Sequence, residues 1–234
     1  VRGSATFEVD PAALRNPRVD KQFSARTSGS RGVATPVPLN LAGIHDHAVN
    51  MALAMDARGG MEWRKAIWEL SGIGPLLWYA SFGGPVERWF TKVGSQTGGT
   101  SASHHRRLSA VTWTGRLSGR PLPAPRHVSP HAPLPIAQWM ASVLDKGEVP
   151  HLWTSTSSAV RLCQAAKQAG ISLRGAQFTV TGEPVTEARL AVIRSTGAEA
   201  VPDYGSADSG GSVTCACLAP DAPQARCRGI DQRD

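Results

Sequence analysis

Apolar residues recur at Ile44, Ala48, Met51 and Met55, spaced by 4, 3 and 4. That is one stripe of a helix, stopped by Gly59–Gly60. Before it, Gln22–Arg26 and Val33–Leu39 read as strands around a loop of small residues, a hairpin pattern. After it, Trp63, Trp68, Trp78 and Trp89 crowd residues 61–93 without a single period. They read as core and subdomain packing. Gly94–Ser103 is a Gly/Ser/Thr loop, and Arg120–Pro135 holds six prolines in 16 residues, the mark of an extended connector.

The clearest regular pattern lies beyond the prolines. Ile136–Leu144 and Ser158–Ala169 read as helices, the second carrying Leu162, Cys163 and Ala166 on one face. Gln177–Val180 reads as a buried strand. Thr186 is placed to cap a helix with Leu190 and Ile193 inward and Gly197 at its end. Ala198–Pro202 is then a second strand. A strand–helix–strand unit pairs its strands in parallel with a right-handed crossover, which makes the class α/β. The expected organisation is an N-terminal subdomain over 1–119, a connector over 120–135, an α/β subdomain over 136–211 and an irregular tail over 212–234.

Composition narrows the function classes. The chain has 234 residues, 41% hydrophobic and 18% charged, which suits a packed protein with many loops. Its apolar runs are all shorter than the roughly 18 residues that a membrane span needs, and no signal segment opens it. The expected location is the cytoplasm, with no membrane partner. The net charge of +7 is spread thinly; the one basic cluster, His104–Arg107, lacks interleaved aromatics, so no nucleic-acid partner is expected. Cys163, Cys215, Cys217 and Cys227 form no C-x-x-C pair, and the histidine pairs lack a third ligand at metal-binding spacing. No Gly-x-Ser-x-Gly elbow offers a serine nucleophile, and the catalytic residues stay unassigned.

Two loops follow the two parallel strands, Thr181-Gly182-Glu183-Pro184 and Asp203-Tyr204-Gly205-Ser206-Ala207-Asp208. In a parallel sheet both emerge at the carboxyl edge, where open α/β sheets bind ligands. A third loop, Thr27-Ser28-Gly29-Ser30-Arg31-Gly32, has the glycines, hydroxyls and charge of an anion cradle but lacks the Walker Gly-Lys-Ser/Thr.

Read in order, these three loops resemble those of the acyl-adenylate-forming enzymes, the AMP-dependent synthetases and ligases, and most nearly the phenylacetate-CoA ligase type. The resemblance runs from about Asp10 to Gly211. It implies the fold of the large N-terminal domain of such an enzyme. It implies that Thr27, Ser28, Gly29, Ser30 and Gly32 hold the ATP phosphates and that Gly182, Glu183 and Pro184 lie along the adenine. By position Tyr204 stacks on the base, Asp203 meets its amino group, Gly205 completes the turn and Asp208 helps hold magnesium. Two departures stand out: Ala207 replaces a hydroxyl, and Asp208 replaces a longer glutamate.

The implied function is ATP-dependent activation of a carboxylic acid as its acyl adenylate, with CoA or another thiol as acceptor and ATP and Mg as cofactors. The family's lysine-bearing C-terminal domain has no counterpart after Asp208, so a truncated and impaired ligase is expected. Two alternatives stand beside it: a non-catalytic nucleotide- or acyl-binding module of the same fold, and an unrelated basic binding protein. The acid and the oligomeric state stay open.

Overall fold

The computed structural model describes residues 23–26, 36–39, 41–70, 73–94, 109–110, 112–113, 115, 122–205 and 212–214. The expected hairpin is present: β1 (Phe23–Arg26) pairs antiparallel with β2 (Pro36–Leu39). Helix α1 (Leu41–Asp56) follows and buries Ala48, Met51 and Met55, the stripe read from their spacing.

The Trp-rich stretch holds more than packing. It contains β3 (Arg64–Glu69), α2 (Ile73–Ser81) and β4 (Val86–Thr91). Four successive residues of β3, Lys65–Trp68, are buried, so no alternation marks the strand; parallel strands covered on both faces read this way. The same holds for β6 (Pro150–Ser155), whose first five residues are all buried. The proline-rich stretch also enters the sheet, as β5 (Pro125–His127). Helix α3 (Leu134–Leu144) starts within that stretch, because a helix tolerates proline in its first turn, where the N–H would have no intrahelical partner. Helix α4 (Thr156–Gln168), β7 (Gln177–Thr181), α5 (Glu187–Arg194) and β8 (Glu199–Gly205) complete the expected strand–helix–strand unit.

The sheet runs β5-β4-β3-β6-β7-β8-β9, with β5 to β8 parallel. Strand β9 (Ser212–Thr214) closes it antiparallel to β8. The structure thus places a strand in the segment read as irregular tail. It also turns Asp203–Gly205, read as loop, into the end of β8, because each pairs with a residue of β9.

Alternate side chains of the central strands point to opposite faces. Ala66, Trp68, Phe90, Leu152, Phe178 and Val180 join one core with Ile136 and Met140 of α3, Leu162 of α4 and Ile193 of α5. Ile67, Trp89 and Trp153 join the other with Met51 of α1 and Leu76 and Tyr79 of α2. The result is three layers, helices on both faces of a parallel sheet.

One polar network lies inside the second layer. His151 is fully buried and hydrogen-bonded through Nε2 to Thr179 Oγ1 at 2.9 Å and through Nδ1 to the Tyr79 hydroxyl at 3.3 Å. Arg58 donates to Thr179 Oγ1 at 3.4 Å and to Gln177 Oε1 at 2.8 Å, and its guanidinium lies 4.8 Å from the Trp63 ring centroid. Burial, then the positive charges of Arg58 and Lys65, push the His151 imidazole well below its ordinary range.

Candidate functional site

Strand order reverses between β3 and β6: β4 and β5 lie outward on one side, β7 and β8 on the other. That reversal is a topological switch point, and its crevice opens at the carboxyl ends of the strands. Two clusters of polar side chains lie along this edge.

The first is at β3, β4 and β6. Lys92 follows β4 and makes an ion pair with Glu69 Oε2 at 3.1 Å; it also donates to Ser155 Oγ at 2.8 Å. Lys92 lies 5.7 Å from the Trp68 ring centroid. Burial pushes the Glu69 carboxyl up, against the opposing pull of Lys92 and of the Leu70 and Ser155 backbone N–H groups. Ser155 occupies the N-cap position of α4 and donates its hydroxyl to Ser158 Oγ at 2.8 Å.

The second cluster joins β6, β7 and β8. Ser155 pairs with Thr181 across β6 and β7, and Val180 with Pro202 across β7 and β8. The segments after β7 and at the end of β8 are therefore side by side, as parallel strands require. Thr181 Oγ1 donates to Asp203 Oδ2 at 3.3 Å. Asp203 is 5% exposed and its neighbour Tyr204 79% exposed, so successive residues of β8 face inward and outward. His47 of α1 is held below its ordinary range by burial, against the upward pull of Asp203; its ring centroid lies 3.8 Å from that of Trp78.

The β7–α5 loop is held at several points. Gly182 has φ +76, with no atom within 4 Å of where a Cβ would lie, so the chain turns there beside open space. Ser157, in the first turn of α4, donates its backbone N–H to Glu183 Oε2 at 3.1 Å and its hydroxyl to Oε1 at 2.6 Å. Arg189 donates to Glu183 Oε2 at 3.3 Å and to the Pro184 carbonyl at 2.8 Å. Thr186 caps α5 by accepting from the Arg189 N–H at 3.4 Å.

The structure therefore brings Gly182, Glu183 and Pro184 beside Asp203, Tyr204 and Gly205. Thr27–Gly32 and Asp208 lie outside the described residues. Among the described residues no group of three His, Cys, Asp or Glu could hold a metal ion, and no helix is long and apolar enough to cross a membrane. Sequence reading missed Glu69, Lys92, Ser155, Ser157 and Arg189. One signal was present: the five consecutive hydroxyl residues Thr154–Ser158, which mark a helix N-terminus.

Fold and edge together define a doubly wound α/β protein with its candidate site across the carboxyl ends of β3, β6, β7 and β8. No protein-family model matches the sequence, and no curated protein matches it. Among solved structures the chain is similar to the inhibitor-bound N-terminal domain of FACL13 from Mycobacterium tuberculosis, at 13% identity over 81% of this chain and 37% of that one, TM-score 0.48. It is also similar to VinN, at 14% identity over 89% and 41%, TM-score 0.47. A third likeness is to 2-hydroxyisobutyryl-CoA ligase in an open conformation with 2-HIB-AMP and CoA, at 15% identity over 84% and 40%, TM-score 0.45. These are adenylate-forming ligases, the superfamily that the three loops resemble. The chain spans about two fifths of their length.

Proposed function

We propose that this chain binds an adenine nucleotide at the carboxyl edge of β7 and β8, as part of an activity that converts a carboxylic acid to its acyl adenylate. The observation that carries the proposal is the placement of Gly182–Pro184 against Asp203–Gly205 on neighbouring parallel strands. There the exposed Tyr204 ring offers a stacking face for a base, and the space beside Gly182 leaves room for it. Asp203, buried and holding Thr181 on the inward side of β8, is assigned to the base's amino group only through the sequence resemblance. Thr27, Ser28, Gly29, Ser30 and Gly32 are assigned to the phosphates, and magnesium is assigned only through Asp208.

The acid is assigned to the switch-point crevice, where Lys92, Glu69 and Ser155 converge. Neighbouring strands are about 4.8 Å apart, so β3 and β8 are separated by three such steps, roughly 14 Å. That span suits an acyl group at one end and an adenine at the other. In the reaction an oxygen of the carboxylate bonds to the α-phosphorus as the bond to pyrophosphate breaks. The protein's part is to hold the two reactants in line and to meet developing charge with fixed donors. A thiol, CoA or a carrier, then attacks the acyl carbon, and the bond to the phosphate oxygen breaks with release of AMP.

Titration with AMP and with ATP–magnesium, read by calorimetry and thermal protection, tests binding. Pyrophosphate release over a panel of aryl and aliphatic acids tests turnover. Saturable binding with acid-dependent release is expected of a ligase; binding without release leaves a nucleotide-binding module. No protection by either nucleotide, in a folded chain, overturns the proposal.

A further inference from the structure

We infer that Glu183 is a positioning residue: its carboxylate latches the β7–α5 loop to the N-terminus of α4 and shapes the nucleotide's base site through the loop backbone, not by contact with ligand. The inference rests on the nucleotide reading above and assigns Glu183 a different part from that implied by sequence resemblance.

Both carboxylate oxygens are occupied. Oε1 accepts from the Ser157 hydroxyl at 2.6 Å, and Oε2 accepts from the Ser157 N–H at 3.1 Å and from Arg189 at 3.3 Å. The first N–H groups of a helix have no partner within it, and the helix dipole favours a negative charge there. Glu183 meets both demands on α4, which has no acid of its own in its first turn. Bonds to an ionised acceptor are about twice as strong as neutral ones. A backbone contact runs alongside: Thr156 Oγ1 donates to the Glu183 carbonyl at 3.4 Å.

The loop so held begins at Gly182, whose left-handed φ and open surroundings leave it little packing of its own. Without the latch its course is held by Thr156 on the Glu183 carbonyl, Arg189 on the Pro184 carbonyl, the packing of Val185 and the cap on α5. A nucleotide base stacked beside Tyr204 reads that course directly. The same α4 terminus carries Ser155, which accepts from Lys92, so the latch also ties the base side of the edge to the switch-point crevice.

The test uses the full chain and four variants: Ser157→Ala, Glu183→Ala, the milder Glu183→Gln, and the Ser157/Glu183 double alanine. AMP affinity is measured by calorimetry with inorganic tripolyphosphate as a second probe, and amide exchange is followed over 181–185 without ligand. Glu183→Ala should weaken AMP about tenfold and Ser157→Ala, which keeps the backbone N–H bond, by a smaller factor, with the double variant little worse than Glu183→Ala, because two ends of one interaction do not add. Glu183→Gln, which keeps an acceptor, should fall between. Tripolyphosphate, which has no base, should bind all five proteins alike, and exchange over 181–185 should quicken in both single alanine variants. The inference is overturned if folded Ser157→Ala matches the parent in AMP affinity and in exchange. It is equally overturned if only Glu183→Ala loses AMP, which would mean direct contact. If the parent chain binds no AMP, the nucleotide reading fails on its own, and the exchange comparison still decides whether the latch exists.

Discussion

His151 sits fully buried, and this gives the fold a pH dependence that can be isolated. Its pKa in the fold lies well below the ordinary 6.5. The unfolded chain therefore binds more protons than the folded one once pH falls below about 6.5, and stability falls with it. The contribution is complete above that pH. In urea titrations His151→Gln should flatten the acid side of the stability profile, by up to about 1.4 kcal/mol per pH unit relative to the parent. Parallel profiles would show that His151 does not carry this dependence. The Glu69–Lys92 pair has the opposite sign. Burial raises the Glu69 pKa, so protonation is favoured in the fold, and stability declines as pH rises above the ordinary carboxyl value of 4.5. Lys92→Met strands that carboxylate and should cost about 3 kcal/mol at neutral pH. The loss should shrink as pH falls toward the ordinary carboxyl value of 4.5. Neither residue stood out in the sequence. A lone lysine and a lone glutamate 23 positions apart acquire meaning only when β3 and β4 lie side by side.

The elements that sequence made legible were those half-exposed. α1, α4 and α5 keep one face in solvent, and their apolar spacing gave their positions to within a few residues. β3 and β6 are covered on both faces, carry no alternation, and were hidden behind tryptophans and hydroxyls. The strand–helix–strand unit was readable because turn chemistry bounded it, at Gly182 and Gly197. These two glycines should respond differently to substitution. Gly182→Ala meets only the backbone strain of a left-handed residue, about 1 kcal/mol. Gly197, at φ +79, adds a clash: a Cβ there would lie 2.9 Å from Arg174 Cα. Gly197→Ala should cost at least about 2 kcal/mol, since backbone cannot move aside as a side chain does. Equal thermal shifts in the two variants would show that the α5–β8 turn relaxes freely.

The chain as a whole is knitted by β3. It pairs with β4 on one side and β6 on the other, so strands before and after the proline-rich stretch share one sheet. A division at 120–135, natural by composition, cuts through a continuous ladder. Urea unfolding monitored by tryptophan fluorescence and by far-ultraviolet dichroism should therefore give one coincident transition. Two transitions would show that the halves on either side of the prolines fold independently.

The prolines of that stretch guard a border. A sheet of this length presents an unpaired row of amides and carbonyls wherever it stops, and such a row recruits strands from other molecules. On the β8 side the border is taken up by β9. On the β4 side it is β5, three residues long and opened by Pro125, with Pro123 just ahead. Proline is the residue an outermost strand tolerates and a neighbour cannot pair with. Replacing Pro123 and Pro125 by valine should leave the melting temperature nearly unchanged while the protein begins to self-associate. Light scattering of the native variant at rising concentration should show growth that the parent lacks.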